Sequence, residues 1–273
     1  ASKEANDAFP ESMKNQSFIY GTSRINACGV YNAFMAPLLN VSITGMVFFQ
    51  GESDSINSDD YGEALIAYVN DLREKFGSNF MFINMQLTSY GYESGGVQLT
   101  GIWDCVPDMR YAQSELKMDG SISNYEVITT LDAGWRDGDG DGAHPYYKKV
   151  IAQRAAALAA AKIYNIGDIN SSGCPVPSKI EYNRKEIVIT YDYYGSSLQT
   201  QGGGDVTGFE VKQGGEWKAV DKAVIDGNKI TISGLDNPEG VRYAPELRYT
   251  STDNANVCSS SGYPAAAFSA EFA

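Results

Sequence analysis

The hydrophobic period of this chain changes once, near Gly173-Cys174-Pro175-Val176-Pro177, and that change limits the possible folds more than any other feature. Upstream, short apolar runs alternate with helical patterns. Ile43-Thr44-Gly45-Met46-Val47-Phe48-Phe49 is a nearly continuous apolar run ending at a polar loop, which suits a strand buried on both faces of a parallel sheet. Tyr61 to Phe76 carries Leu65, Ile66, Val69, Leu72 and Phe76 on one stripe and predicts an amphipathic helix. Phe80 to Met85 and Glu126 to Leu131 predict two further strands, Arg110 to Met118 a helix, and Lys148 to Tyr164 a long Ala-rich helix. Strands and helices in this order predict α/β layers around a parallel sheet. Downstream, Lys185 to Tyr191, Gly208 to Lys212 and Lys229 to Ile232 alternate with period two. Turn signals separate them at Gln201 to Asp205, Gly214-Gly215 and Asp226-Gly227-Asn228, as in a small all-β sandwich. The expected organisation is an α/β domain over residues 1–172 and an all-β sandwich domain over 173–273.

Composition narrows the function. The chain has 273 residues, 43% hydrophobic and 20% charged, with a net charge of -13. A nucleic-acid binder needs a basic surface to displace counterions from phosphates, and this chain has the opposite field. No apolar run is long enough to span a membrane. The opening residues Ala1 to Ser12 are polar and do not read as a signal peptide. Four widely spaced cysteines, Cys28, Cys105, Cys174 and Cys258, argue against a zinc or iron–sulfur site. They allow either two disulfides or buried free thiols.

His144 is the only histidine, so any chemistry that needs an imidazole must use it. Asp141 stands three positions earlier, in Asp-Gly-Ala-His-Pro, after a predicted strand and before a predicted helix. That places a carboxylate and an imidazole together at the carboxyl end of a strand, where open α/β sheets hold their sites. The carboxylate can bond one ring nitrogen and leave the other for a nucleophile. Asp137-Gly138-Asp139-Gly140-Asp141-Gly142 opens like a calcium loop, but the twelfth position is Lys148 rather than a bidentate Glu. A flexible acidic turn is the simpler reading of Asp137 and Asp139, and no metal site is expected. Gln50-Gly51-Glu52-Ser53-Asp54 follows another predicted strand directly and so occupies the same sheet edge. It is either a polar turn that caps the next helix or a source of donors to an oxyanion.

These blocks occur in an order that resembles a known family. Gly45 to Asp54 looks like the GxxWYQGESN/D block of the sialate O-acetylesterases and related carbohydrate acetylesterases of the SGNH-type hydrolases. Asp141 to Lys148 resembles their D-x-x-H-P-x-x-K block, Arg110-Tyr111-Ala112-Gln113 their R-x-A-Q helix start, and Tyr31 to Leu38 their YNxMIxPL segment. Val241 to Ala244 and Gly262 to Phe268 resemble the family's VRYAW and GLPAxPF endings. The resemblance implies a three-layer SGNH-hydrolase-like parallel sheet followed by the β-sandwich. It implies ester hydrolysis through an acyl-enzyme, of the sialate 9-O-acetylesterase kind, with no metal or organic cofactor. His144 would be the general base and Asp141 its orienting partner. Gln50, with the backbone around Gly51, would donate to the oxyanion, and Glu52 would hold the loop. Arg110 would make a structural or substrate-side ion pair. The expected substrate is an O-acetylated glycan such as a sialic acid or xylan, met in a secreted, periplasmic or lysosome-like compartment.

One part of the pattern is missing. The family's GQSN nucleophile block does not occur, nor does Gly-Asp-Ser or a G-x-S-x-G elbow. Ser23 and Ser53 are the nearest imitations, and neither stands where the family places its serine. Three predicted strands also make a small sheet, which leaves apolar edges open. The expectation is therefore an incomplete sheet and an N-terminal fragment or subunit that carries the serine, so that this chain alone is inactive. The alternatives are a non-catalytic carbohydrate-binding or structural module and a calcium-dependent scaffold using Asp137, Asp139 and Asp141.

Overall fold

Three parallel strands form the centre of the α/β portion: β1 (Gly45–Phe48), β2 (Met81–Met85) and β5 (Tyr125–Ile128), in the order β1-β2-β5. The computed structural model describes residues 31–90, 93–94, 97–98, 104–134, 148–192, 197–246 and 254–272. The chain divides into two compact units, Ala1–Thr44 with Asn70–Asn79, and Gly45–Val69 with Phe80–Ala273. In the first, Lys75 on its helical turn pairs with Asp71 and sits 5.8 Å from the centre of the Tyr31 ring. Everything that follows concerns the second unit.

Helices cover both faces of the parallel sheet. α1 (Ser58–Phe76) and α2 (Val106–Met118) lie on the face that carries an aromatic row. In that row Phe48 meets Phe82 at 5.3 Å, Phe82 meets Tyr125 at 6.1 Å, and Tyr68 of α1 meets Phe48 at 5.6 Å. The Tyr125 hydroxyl donates to the Gln113 carbonyl of α2 at 2.9 Å. On the other face Ile83, Met85 and Ile128 pack with Ile151, Ala155 and Leu158 of α3 (Lys148–Tyr164). Side chains of this kind stabilise by roughly 1.5–3 kcal/mol each when fully buried. Glu126 of β5 is buried and is met by Lys162 of α3 and, at 3.3 Å, by Lys117 of α2. The near-continuous apolar runs therefore become strands buried on both faces, as their patterning predicts. A short hairpin, β3 (Glu93–Ser94) with β4 (Val97–Gln98), lies between β2 and α2.

Two antiparallel sheets follow. One runs β10-β9-β13-β15, made of Glu216–Ala219, Phe209–Gln213, Gly240–Tyr243 and Phe268–Glu271. The other runs β11-β12-β7-β6, made of Ala223–Asp226, Lys229–Ser233, Glu186–Tyr191 and Pro177–Tyr182. β8 (Leu198–Thr200) pairs with β14 (Val257–Ser259). Ile187, Ile189, Phe209, Val211, Ile230, Ile232, Val241 and Phe268 project from both sheets into one core. The glycines marked as turns do the expected work: Gly214 and Gly215, between β9 and β10, have φ of 63° and 82°, conformations that glycine adopts without a Cβ clash.

Two portions of different period meet through polar atoms. The buried Gln86, just after β2, donates to the carbonyl of Ala267 at 2.9 Å and accepts from the Ala267 N–H at 2.9 Å. Ser114 of α2 donates to the same carbonyl at 2.7 Å. Cys105, Cys174 and Cys258 are free thiols, and Cys28 lies outside the described residues. No helix among the described residues is long and apolar enough to cross a membrane.

Candidate active site

The segments that leave the carboxyl ends of β1, β2 and β5 lie side by side and are tied to one another mainly through main-chain atoms. After β1 comes Gln50-Gly51-Glu52-Ser53-Asp54. Its turn is closed by Asp54 N–H to the Gly51 carbonyl at 3.2 Å and by the buried Ser55 hydroxyl to the same oxygen at 3.0 Å. Gly51 has φ of 141°, and a Cβ there would come within 3.1 Å of Met109 Cγ. The glycine of this block is thus required both by its dihedral and by the close approach of α2. The half-buried Gln50 amide donates to Asp54 Oδ2 at 2.5 Å. Glu52 is half-buried, and its carbonyl accepts from Ser55 N–H at 3.3 Å, so the main chain of the loop does the fastening.

Arg110 is fully buried at 0% exposure, which takes it out of reach of a substrate. Its Nε donates to the Leu87 carbonyl at 3.0 Å and its Nη1 to the Glu246 carbonyl at 2.7 Å, while Nη2 donates to the Thr88 carbonyl. Gln113 lies one turn along the same helix face. Its Nε2 donates to the Gln50 carbonyl at 3.1 Å, and its Oε1 accepts from the Leu87 N–H at 2.9 Å. The spacing of Arg110 and Gln113 thus has a physical meaning: one helix face holds the segment after β2 and, through Gln113, the loop after β1. Gln113 was in view in the sequence, but its role depends on a carbonyl that no sequence pattern displays.

A cavity of about 170 Å³ opens beside Gln50, lined by Phe48, Asp54, Tyr61, Leu65 and Tyr68. It is smaller than the ~300–1,000 Å³ of whole-ligand pockets and suits an acyl group better than an oligosaccharide. The Tyr61 hydroxyl is buried near Gln113 and Asn84 without a hydrogen bond of good geometry to either, and burial pushes its phenol above the ordinary tyrosine range.

The segment after β5 holds a charge pair absent from the sequence expectations. Asp132 sits in the turn Leu131–Ala133, and both of its oxygens accept from Arg154 of α3, at 2.6 Å each. Arg154 Nη1 also donates to the Thr129 carbonyl at 3.1 Å, and the guanidinium lies 5.3 Å from the centre of the Tyr263 ring. At the amino end of α3, Lys148 Nζ stands 5.2 Å over the Phe49 ring, next to Gln50. Asp141 and His144, with Asp137 and Asp139, lie outside the described residues, between these two anchored points.

Known proteins carry the same order of blocks. The human sialate O-acetylesterase is 29% identical over 185 residues, 63% of this chain and 34% of its own length. The rat sialate O-acetylesterase is 29% identical over 179 residues, 60% of this chain and 31% of its own. The chain thus spans about a third of the length of the curated relatives it matches. In fold it is similar to a carbohydrate acetylesterase from Xanthomonas citri, at a TM-score of 0.71 and 22% identity, covering 89% of this chain and 54% of that one. No protein-family model matches the chain. The family resemblance carried by the motifs is supported by these relatives.

Proposed function

We propose that this relative of the sialate O-acetylesterases forms the acid–base half of a carbohydrate O-acetylesterase. His144 takes the proton of an acylated serine's hydroxyl and later activates water, and Asp141 orients its ring. Donors of the Gln50–Gly51 loop receive the oxyanion. For the Gln50 amide to do so it must leave Asp54, whose carboxylate holds it at 2.5 Å. Glu52 stays a loop residue, and the substrate is an O-acetylated glycan of the sialic acid or xylan kind. The 273 residues contain no GQSN block, so the reading takes its serine from outside them, on strands that continue an SGNH-type sheet.

The observation that carries this reading is Lys148 over Phe49. Lys148 is four residues after His144, and four residues span at most ~14 Å. The imidazole is therefore confined to the neighbourhood of the Gln50 loop and of the cavity beside it. A metal-free esterase needs these three things together: a base, its orienting acid and an oxyanion donor.

Acetate release from O-acetylated sialic acid and from acetylated xylan tests the reading in the native protein. His144→Ala is expected to lower kcat by a thousandfold or more, and Asp141→Asn by a comparable factor. A His144→Ala protein that still turns over would sink the proposal. Native mass spectrometry of the active sample identifies the polypeptide that supplies the serine.

A further inference from the structure

Asp132 and Arg154 flank the stretch that carries the proposed base. Asp132 stands nine residues before Asp141, at the end of β5, and Arg154 stands ten residues after His144, in α3. Their bidentate fork, 2.6 Å on both arms, ties the point where the chain leaves the sheet to the helix by which it returns. The Thr129 carbonyl and the Tyr263 ring fix the guanidinium further. Arg154 is 6% exposed, so the pair pays a desolvation cost that an apolar contact would not. The Ile151, Ala155 and Leu158 stripe already seats α3 on the sheet. Apolar packing tolerates sliding, whereas a planar fork admits one register. Lys148 over Phe49 is a second point contact, one and a half turns away along the helix.

We infer that the Asp132–Arg154 pair is a positioning device for His144, setting the register and rotation of α3 so that the imidazole meets the Gln50 loop. Neither residue touches substrate; they act through the chain between them. A slip of one residue along α3 moves its amino end by ~1.5 Å, and a misplacement of about 1 Å can cost a hundredfold in rate. The inference rests on reading His144 as the base.

Because His144 is the only histidine, its imidazole signals in an NMR titration need no separation from others. With Asp141 beside it, its pKa should lie above the ordinary ~6.5. Asp132→Asn, and the milder Arg154→Lys, which keeps charge but loses the fork, should bring that pKa back toward ~6.5. Both should raise amide exchange of residues 133–150 about tenfold while leaving the β-sheets unchanged. In the native protein both should lower kcat about a hundredfold with KM within threefold, and the swap of Asp132→Arg with Arg154→Asp should recover part of the loss. Folded variants with parental exchange and parental His144 titration overturn the inference. If instead Asp141→Asn leaves the His144 titration unmoved, the base assignment fails, and the exchange data still decide whether the pair positions the segment.

Discussion

A methyl group added at Gly134 would overlap the Ser89 carbonyl and come within 2.7 Å of the Ser89 N–H, so the segments after β5 and β2 touch backbone to backbone there. Gly51 is constrained similarly by Met109, which makes the carboxyl edge of the sheet a place where loops are seated by missing side chains. Cys174 shows the opposite case, a side chain enclosed completely. Burial pushes its thiol up to about 11, against the opposing pull of Arg154 and of a hydrogen bond from Thr129. The unfolded chain releases this proton near pH 9, and the folded one holds it until about 11. The folded state therefore binds more protons across that window, and stability falls as pH rises through it. Buried Tyr125, Tyr191 and Tyr243, all raised chiefly by burial, push the same way at higher pH. Urea unfolding should lose stability between pH 8 and 10.5, of which Cys174 accounts for roughly 2 kcal/mol. Cys174→Ala should flatten the decline by that amount. Iodoacetamide at pH 8 should leave Cys174 unmodified until the protein unfolds, because the thiolate is the reacting form.

At the scale of elements, much of the α/β portion was legible. Lys148–Tyr164 forms a helix over the residues that its Ala-rich pattern marks, and the three apolar runs form the three parallel strands. The third strand ends at Ile128 rather than Leu131, because Leu131–Ala133 turns into a short helix that presents Asp132 to Arg154. Hydrophobicity alone cannot distinguish a buried strand end from a buried turn. In the antiparallel sheets, β8 and β10 escaped detection for a related reason. They are three and four residues long, and β10 is largely exposed, so neither shows a clear alternation. Gln50, Gly51 and Glu52 were found at the sheet edge because a polar block directly after an apolar run has no other place to go. The pairing of Arg110 with Gln113 was visible as spacing only. Its consequence can now be tested: Gln113→Ala leaves the Leu87 N–H and the Gln50 carbonyl without their partner. Each unsatisfied buried group costs roughly 1–3 kcal/mol. Chemical denaturation should show a loss of about 2–4 kcal/mol, larger than that of a surface helix substitution, which is usually within ~0.5 kcal/mol.

For the whole molecule, the change in hydrophobic period near residue 173 and the distribution of polar contacts lead to an asymmetry. The two four-stranded sheets fill a core almost wholly with their own residues; Leu131 is the one fully buried member of that cluster from upstream. The upstream portion is different, because its buried polar groups look downstream. Gln86 and Ser114 need Ala267, and Arg110 needs the Glu246 carbonyl. Removing residues 173–273 would strand three buried polar side chains at ~1–3 kcal/mol each, more where the group is charged. That sum is comparable with a typical total stability of ~5–15 kcal/mol. Residues 173–273 expressed alone should therefore give a dispersed NMR spectrum and a cooperative melt, while residues 1–172 alone should give neither. In the full chain the second unit should unfold in one transition, followed equally by the Tyr191 and Phe268 side chains downstream and by Phe82 upstream. Two separated transitions, with residues 1–172 melting cooperatively by themselves, would show that the Gln86 and Arg110 contacts are dispensable. The loops after β1 and β2 would then owe their seating to the α/β portion alone.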